Sequence, residues 1–282
     1  MISTQVSTPL TRATTFGSVM SGFNAGIIAG PAIGGALAAA VGPAYTCWGV
    51  GGGIVAAALL AHRLVPETRG IHELGESNPP QTQSASDVVR ELRASWKSSP
   101  ELRRLCAANY AFLATIAGAN MTVLPLVLSG DMGLSPGAVG SLFAVQAAVS
   151  LAATIPVAKL ADAWGPSTVI PPAMLVTAAA FATLPWADHL GYEYVACTMA
   201  VQGLGTCVLG SAPTAAAANA VPEEERSGAL ALLRVGGDLG MLTGSAAFGA
   251  LAASAGSDAA FGAAAALLVG TAAGFRLAAP GK

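Results

Sequence analysis

The chain has 282 residues, of which 10% are charged and 54% hydrophobic, with a formal net charge of −2 and a mean hydropathy of +0.62. A water-soluble protein carries roughly 25% charged residues to cover its surface, so a soluble globular domain is excluded, and the charge balance gives no sign of a nucleic-acid partner. Residues 16–61, 106–130 and 132–157 contain no Lys, Arg, Asp or Glu, and runs of roughly 20 apolar residues match the hydrocarbon thickness of a bilayer.

In chain order, residues 1–15 are rich in Ser and Thr with a single Arg12. They lack the basic region and short apolar core of a cleavable signal peptide. About eight membrane helices are expected, near 16–40, 44–64, 105–129, 136–158, 168–187, 193–217, 228–253 and 259–277. The fold class is therefore an all-α integral membrane bundle. Short connectors around Gly42, at 130–136, at 188–191 and at 255–257 carry no Lys or Arg. The remaining connectors and termini hold Arg12, Arg63, Arg69, Arg90, Arg93, Lys97, Arg103, Arg104, Lys159, Arg226, Arg276 and Lys282. Lys and Arg collect on the cytoplasmic side, which places the middle loop and the C-terminus there in a multi-pass protein. Arg234 alone departs from this alternation.

The middle loop, 66–100, begins polar and ends as an amphipathic stretch. Val88, Val89, Leu92 and Trp96 lie on one side, with Arg90, Arg93 and Lys97 on the rest. It reads either as a helix on the anionic leaflet surface or as a solvated linker helix. Cys47, Cys106, Cys197 and Cys207 fall in apolar runs without a CxxC pair and read as small core residues.

Sliding the chain by 214 residues aligns the first span with the seventh. Arg12 falls on Arg226, Gly22 on Gly236, Gly26 on Gly240, Gly30 on Gly244, Gly35 on Gly249 and Gly42 on Gly256. Parallel repeats of this kind build some transporter folds. Because the four spans between 105 and 217 come just before the seventh, subtracting 214 places their equivalents before Met1, and the offset predicts two bundles of six helices with the first four helices lying there. On this expectation 1–65 is the remnant of an N-terminal bundle, 66–100 a cytoplasmic linker and 101–282 a C-terminal six-helix bundle, a truncated 2 + 6 arrangement.

Within the first span, Gly17, Gly26, Gly30-Pro31 and Gly34-Gly35 form G-x8-G-x3-GP-x2-GG. Glycines four apart make a smooth ridge for close helix approach, and Pro31 removes a backbone donor and bends the helix. This pattern resembles the antiporter motif in the fifth helix of drug:proton antiporters of the major facilitator superfamily. Val65-Pro66-Glu67-Thr68-Arg69 is similar to the ending of that family's sixth helix. Ala158-Lys159-Leu160-Ala161-Asp162-Ala163-Trp164-Gly165 resembles its cytoplasmic latch motif, keeping Asp162 and Gly165 but lacking the basic partners. The resemblance covers the chain as family helices five to twelve. It implies a major facilitator-type bundle and a kinked ridge between bundles that seals the cavity against leakage.

Polar residues inside the spans supply the candidate site. Arg234 and Asp238 stand four apart on one helix face and can pair. A charge near the bilayer centre costs about 2.5–3.5 kcal/mol on insertion scales. Asp238 reads either as a proton-exchanging carboxylate biased by Arg234 or as half of a permanent ion pair. Asn24, Asn109, Asn120, Gln146 and Gln202 lie in the first, third, fourth and sixth spans and are the cavity candidates. Each alone also fits interhelical glue. Tyr110 and Trp48 read as packing or interface residues.

The leading expectation is a transporter that exports a small organic solute or drug, coupled to proton entry. The alternative is a shortened chain that does not transport alone and associates with a full-length relative. His62, His72 and His189 have no metal-ligand spacing and no phosphate-binding loop is present, so no enzyme, metal or cofactor is expected.

Overall fold

The computed structural model describes residues 26, 30, 33–64, 93, 96, 97, 99–222 and 225–277. Gly17, Asn24, Pro31, most of the middle loop and the extreme C-terminus lie outside the described residues. Among those described, every regular element is helical. A helical stretch at 33–41 leads through Gly42 into α1 (Pro43–Leu64), and α2 (Pro100–Asp131) follows the middle loop. Then come α3 (Pro136–Trp164), α4 (Pro166–Thr183), α5 (Ala187–Asn219), α6 (Arg226–Ala255) and α7 (Ser257–Leu277).

Glycine and proline set these boundaries. Gly42, Gly133, Gly165, Gly191 and Gly256 have φ between 62° and 91°, a region that costs an L-residue roughly 1–2 kcal/mol. Each sits where one pass ends and the next begins. Pro100, Pro136 and Pro166 open α2, α3 and α4, where the missing N–H costs nothing. Ser99 and Ser135 cap α2 and α3 by accepting the N–H of Leu102 and Ala138, each at 3.3 Å.

Five helical stretches among the described residues are long and apolar enough to cross a membrane: Pro43–Leu64, Pro100–Asp131, Pro136–Trp164, Pro166–Asn219 and Ser257–Arg276. The fourth, of 54 residues, turns at Gly191 (φ 81°) and so supplies two passes. With 30 residues, α6 is also long enough to cross. Arg234, Asp238 and its glycines keep it below the apolarity of the others. The expected spans from residue 44 onward therefore stand, with two shifts, while most of the first, 16–40, lies outside the described residues. The fourth continues to Trp164, carrying Asp162 on the helix until Gly165 ends it. The fifth tightens at Leu184–Trp186, where Pro185 sits, and the expected connector at 188–191 narrows to Gly191.

Inside the bundle α2 is central. It packs on α6 along most of its length and also touches α7 and α5; α5 in turn packs on α3 and α4. Leu102, Leu105, Leu124, Leu128, Phe181, Met199, Phe261 and Leu268 are fully buried. Lipid tails are as apolar as these side chains, so association rests on close packing and small residues. A Cβ added at Gly240 would lie 2.5 Å from the Tyr110 carbonyl oxygen, and one at Gly244 would run into the Ala114 backbone. Glycine on α5 works the same way in two directions, with Gly203 against the Gln146 backbone and Gly205 against Thr177.

By contrast α1 buries no residue and exposes Tyr45, Trp48, Ile54, Leu59 and Leu64. Cys106 is buried, but Cys47 and Cys197 are exposed. The expectation that all four cysteines are core residues is thus corrected: lipid-facing helix surfaces are as apolar as the interior, and sequence cannot separate the two.

Candidate functional site

Near the middle of α2 the helix widens. Ile116–Val123 and Val127–Asp131 take π-helical turns. Pro125 has no N–H to offer the carbonyl one turn before it. The Thr122 hydroxyl donates to the Ala117 carbonyl five residues back at 2.7 Å, which supports the wide turn. Such turns re-aim side chains and recur at functional positions. Asn120 lies in this stretch and is buried.

From Asn120 a chain of amides crosses three helices. Asn120 Nδ2 donates to Gln146 Oε1 on α3 at 3.3 Å, and Gln146 Nε2 donates to Gln202 Oε1 on α5 at 3.2 Å. All three residues are buried, with 3%, 8% and 1% exposure. Gly203, beside Gln202, lets α5 lie against the backbone of Gln146 itself, so the two glutamines meet. The ends of the chain, Asn120 Oδ1 and Gln202 Nε2, are buried without a protein partner. Turning all three amides over reverses the direction and still leaves one free donor and one free acceptor. The chain can therefore hand a hydrogen bond to a polar group at either end.

Asn109 takes a different part. Its Nδ2 donates to the Leu233 carbonyl at 2.9 Å, pinning α6 to α2 just before Arg234. Arg234 Nε donates to both carboxylate oxygens of Asp238, each at 3.1 Å. Their side chains are 78% and 54% exposed, so the pair lies on the outward face of α6, together with Val235, Leu239 and Leu242. The amide chain, buried, and the ion pair, exposed, are thus separate features. Tyr110 joins this outward side through a 2.8 Å hydrogen bond to Thr243.

Asp162 is exposed and meets no basic side chain among the described residues. Gly165 makes the α3–α4 turn with φ 86°. Of the glycine ridge, a Cβ at Gly26, Gly30 or Gly34 would meet nothing within 4 Å. At Gly35 it would lie 2.8 Å from the Cα of Gly140 and 2.9 Å from the Pro136 carbonyl oxygen. The stretch 33–41 therefore touches the start of α3 glycine against glycine. Gly35→Leu is expected to push it off α3, while Gly34→Leu leaves it in place; disulfide trapping between cysteines placed at Ala39 and Gly137 reads the difference.

Two contacts have no counterpart in the sequence reading. Ser167 at the start of α4 donates to Glu101 at the start of α2 at 2.7 Å, and Arg104 stacks over Phe275 of α7. Side chains this far apart in sequence leave no periodic signal. Among the described residues no group of three His, Cys, Asp or Glu side chains comes together to hold a metal ion. No curated protein matches the chain. The family model for the Major Facilitator Superfamily matches residues 106–281, and the chain, an all-helical multi-pass membrane bundle, belongs to that superfamily of transporters.

Proposed function

We propose that the chain is a proton-coupled exporter of a small organic solute, of the drug:proton antiporter type. The observation that carries this reading is the Arg234–Asp238 pair. Asp238 lies ~18 Å from the start of α6 and ~26 Å from its end at 1.5 Å per residue, within a few ångströms of the midpoint of a 30-residue helix. An ionisable pair held at that depth is costly and marks an ion pathway. Protonation of Asp238 releases Arg234 and changes the charge of this face. The alternating occupancy of the pair is the coupling step in this reading. The antiporter-like glycine pattern supports the export direction, and the Gly35–Gly140 contact supports a ridge lying against the six-helix bundle.

In the same reading 101–282 is the C-terminal bundle, 66–100 a linker on the cytoplasmic side and 1–65 the part of the other bundle matching family helices five and six. The amides Asn120, Gln146 and Gln202 supply uncharged polar contacts toward the solute path. Asp162 and Gly165 form the reduced latch, with Gly165 kept for its turn.

A second reading is favoured by α1, which buries nothing. The chain then transports only when further helices, such as those of a full-length relative, pack on that surface. Asp238→Asn separates coupling from folding, because the substitution is isosteric and the site is on the outer face. Dye efflux from cells is expected to lose its dependence on the proton gradient, falling by about tenfold or more, roughly 1.4 kcal/mol. Unchanged gradient-driven efflux in the variant would sink the coupling role. Efflux only on co-expression with a full-length relative would favour the second reading.

A further inference from the structure

Between the first turns of α2 and the last turns of α7 lies a groove of about 410 Å³, lined by Arg104, Ala107, Ala266, Gly270, Gly274 and Phe275 among others. It belongs to neither the amide chain nor the ion pair. Its walls are mainly apolar, the Thr271 hydroxyl being spent on the Leu267 carbonyl, and among the described residues its one charged lining residue is Arg104. The guanidinium carbon stands 5.6 Å from the Phe275 ring centroid, and Nη1 donates to the Phe275 carbonyl at 3.4 Å. Arg104 Nε is buried without a partner. The cation is thus held at the head of an apolar slot with hydrogen-bonding capacity left over.

We propose that this groove binds one anionic phospholipid, with an acyl chain along α7 and the phosphate on Arg104. Three features fix the occupant. Arg104 and Phe275 lie at helix ends, the level of the headgroups, alongside the exposed Trp96, a residue type that favours that level. From Phe275 to Ala266 the slot runs ~13 Å along α7, close to half of the roughly 30 Å hydrocarbon layer, so it accommodates the chain of a single leaflet. Arg103 and Arg276 stand at the same ends of α2 and α7. Together with Arg104 they outnumber the one carboxylate there among the described residues, Glu101, whose Oε1 accepts from Ser167. A guanidinium fork suits the phosphodiester of a phospholipid; the surplus of arginines disfavours a choline cation beside it, and each basic residue at the surface raises affinity for an anionic lipid by about fivefold.

The test uses the full chain in mixed micelles containing phosphatidylglycerol or phosphatidylcholine, read by native mass spectrometry. Wild type is expected to retain one phosphatidylglycerol per chain and to prefer it over phosphatidylcholine. Arg104→Gln removes the cation and is expected to reduce retention about fivefold or more. Gly270→Leu fills the slot; a Cβ there meets nothing within 4 Å, so the fold is spared. Gly262→Leu, equally unobstructed and outside the lining residues, is expected to retain the lipid. A photoreactive acyl-chain phosphatidylglycerol should label the peptide spanning 266–274 in wild type, a readout independent of variant folding. Equal retention of both lipids with Arg104→Gln unchanged, labelling elsewhere, or occupation of the slot by a second copy of the chain would each overturn the proposal.

Discussion

Replacing Gly244 with leucine is expected to separate α6 from α2 and leave little monodisperse protein after extraction. The reason is which atoms stand opposite. A Cβ at Gly244 meets the oxygen, Cα and carbonyl carbon of Ala114, and one at Gly240 lies 2.5 Å from the Tyr110 oxygen and 3.2 Å from the Ala114 nitrogen. These are backbone atoms of a buried helix and cannot swing aside as a flexible side chain would. Overpacking of a close-packed interface costs about 1–3 kcal/mol, and leucine adds three carbons beyond the Cβ. Five residues further on, a Cβ at Gly249 stands 3.7 Å from the Thr122 methyl, an ordinary contact. Gly244→Ala is therefore expected to lower the temperature at which the purified chain loses its monodisperse peak, while Gly249→Ala leaves it unchanged. Equal loss in the two alanine variants would mean that the glycine seam is not what holds α6.

The second large effect concerns the middle of the amide chain. Gln146→Leu removes both hydrogen bonds at once and leaves Asn120 and Gln202 buried and unpaired. Asn120→Leu or Gln202→Leu removes one bond each. Interhelical side-chain hydrogen bonds in membranes contribute about 0.6 kcal/mol on average and up to about 1.7 kcal/mol. The central substitution is then expected to cost about 1–3 kcal/mol, roughly the sum of the two end substitutions. Thermal denaturation of the three variants in detergent measures this ordering. Transport discriminates further: if the ends of the chain contact solute, the end variants lose solute affinity by more than their stability loss accounts for. An amide chain that only glues helices together would lower stability and leave solute affinity unchanged.

The sequence made the passes legible because uncharged stretches of membrane length leave few alternatives, and positive-φ glycines fall where the punctuation placed the turns. It also singled out the polar residues inside the spans. The i, i+4 spacing of Arg234 and Asp238 was enough to foresee their pairing, since it depends on one helix only. What was not legible depends on the third dimension. Asn120 and Gln146 are 26 residues apart, Gln146 and Gln202 are 56, and their meeting depends on a π turn and on Gly203. The outward direction of the ion pair follows from which face of α6 its glycines seat on α2. Asn109 looked like the other amides in sequence, yet it binds a backbone carbonyl. Gly26 and Gly30 share a pattern with Gly35, but among them only Gly35 meets another helix.

The most direct test of the proposed function is proton movement in proteoliposomes that hold the purified full chain and an entrapped fluorescent cationic solute. Proton-coupled export predicts that solute leaves as protons enter, that an imposed inward proton gradient accelerates the exit, and that Asp238→Asn uncouples the two. Solute flux that ignores the gradient, or gradient-driven flux that survives Asp238→Asn, would contradict it.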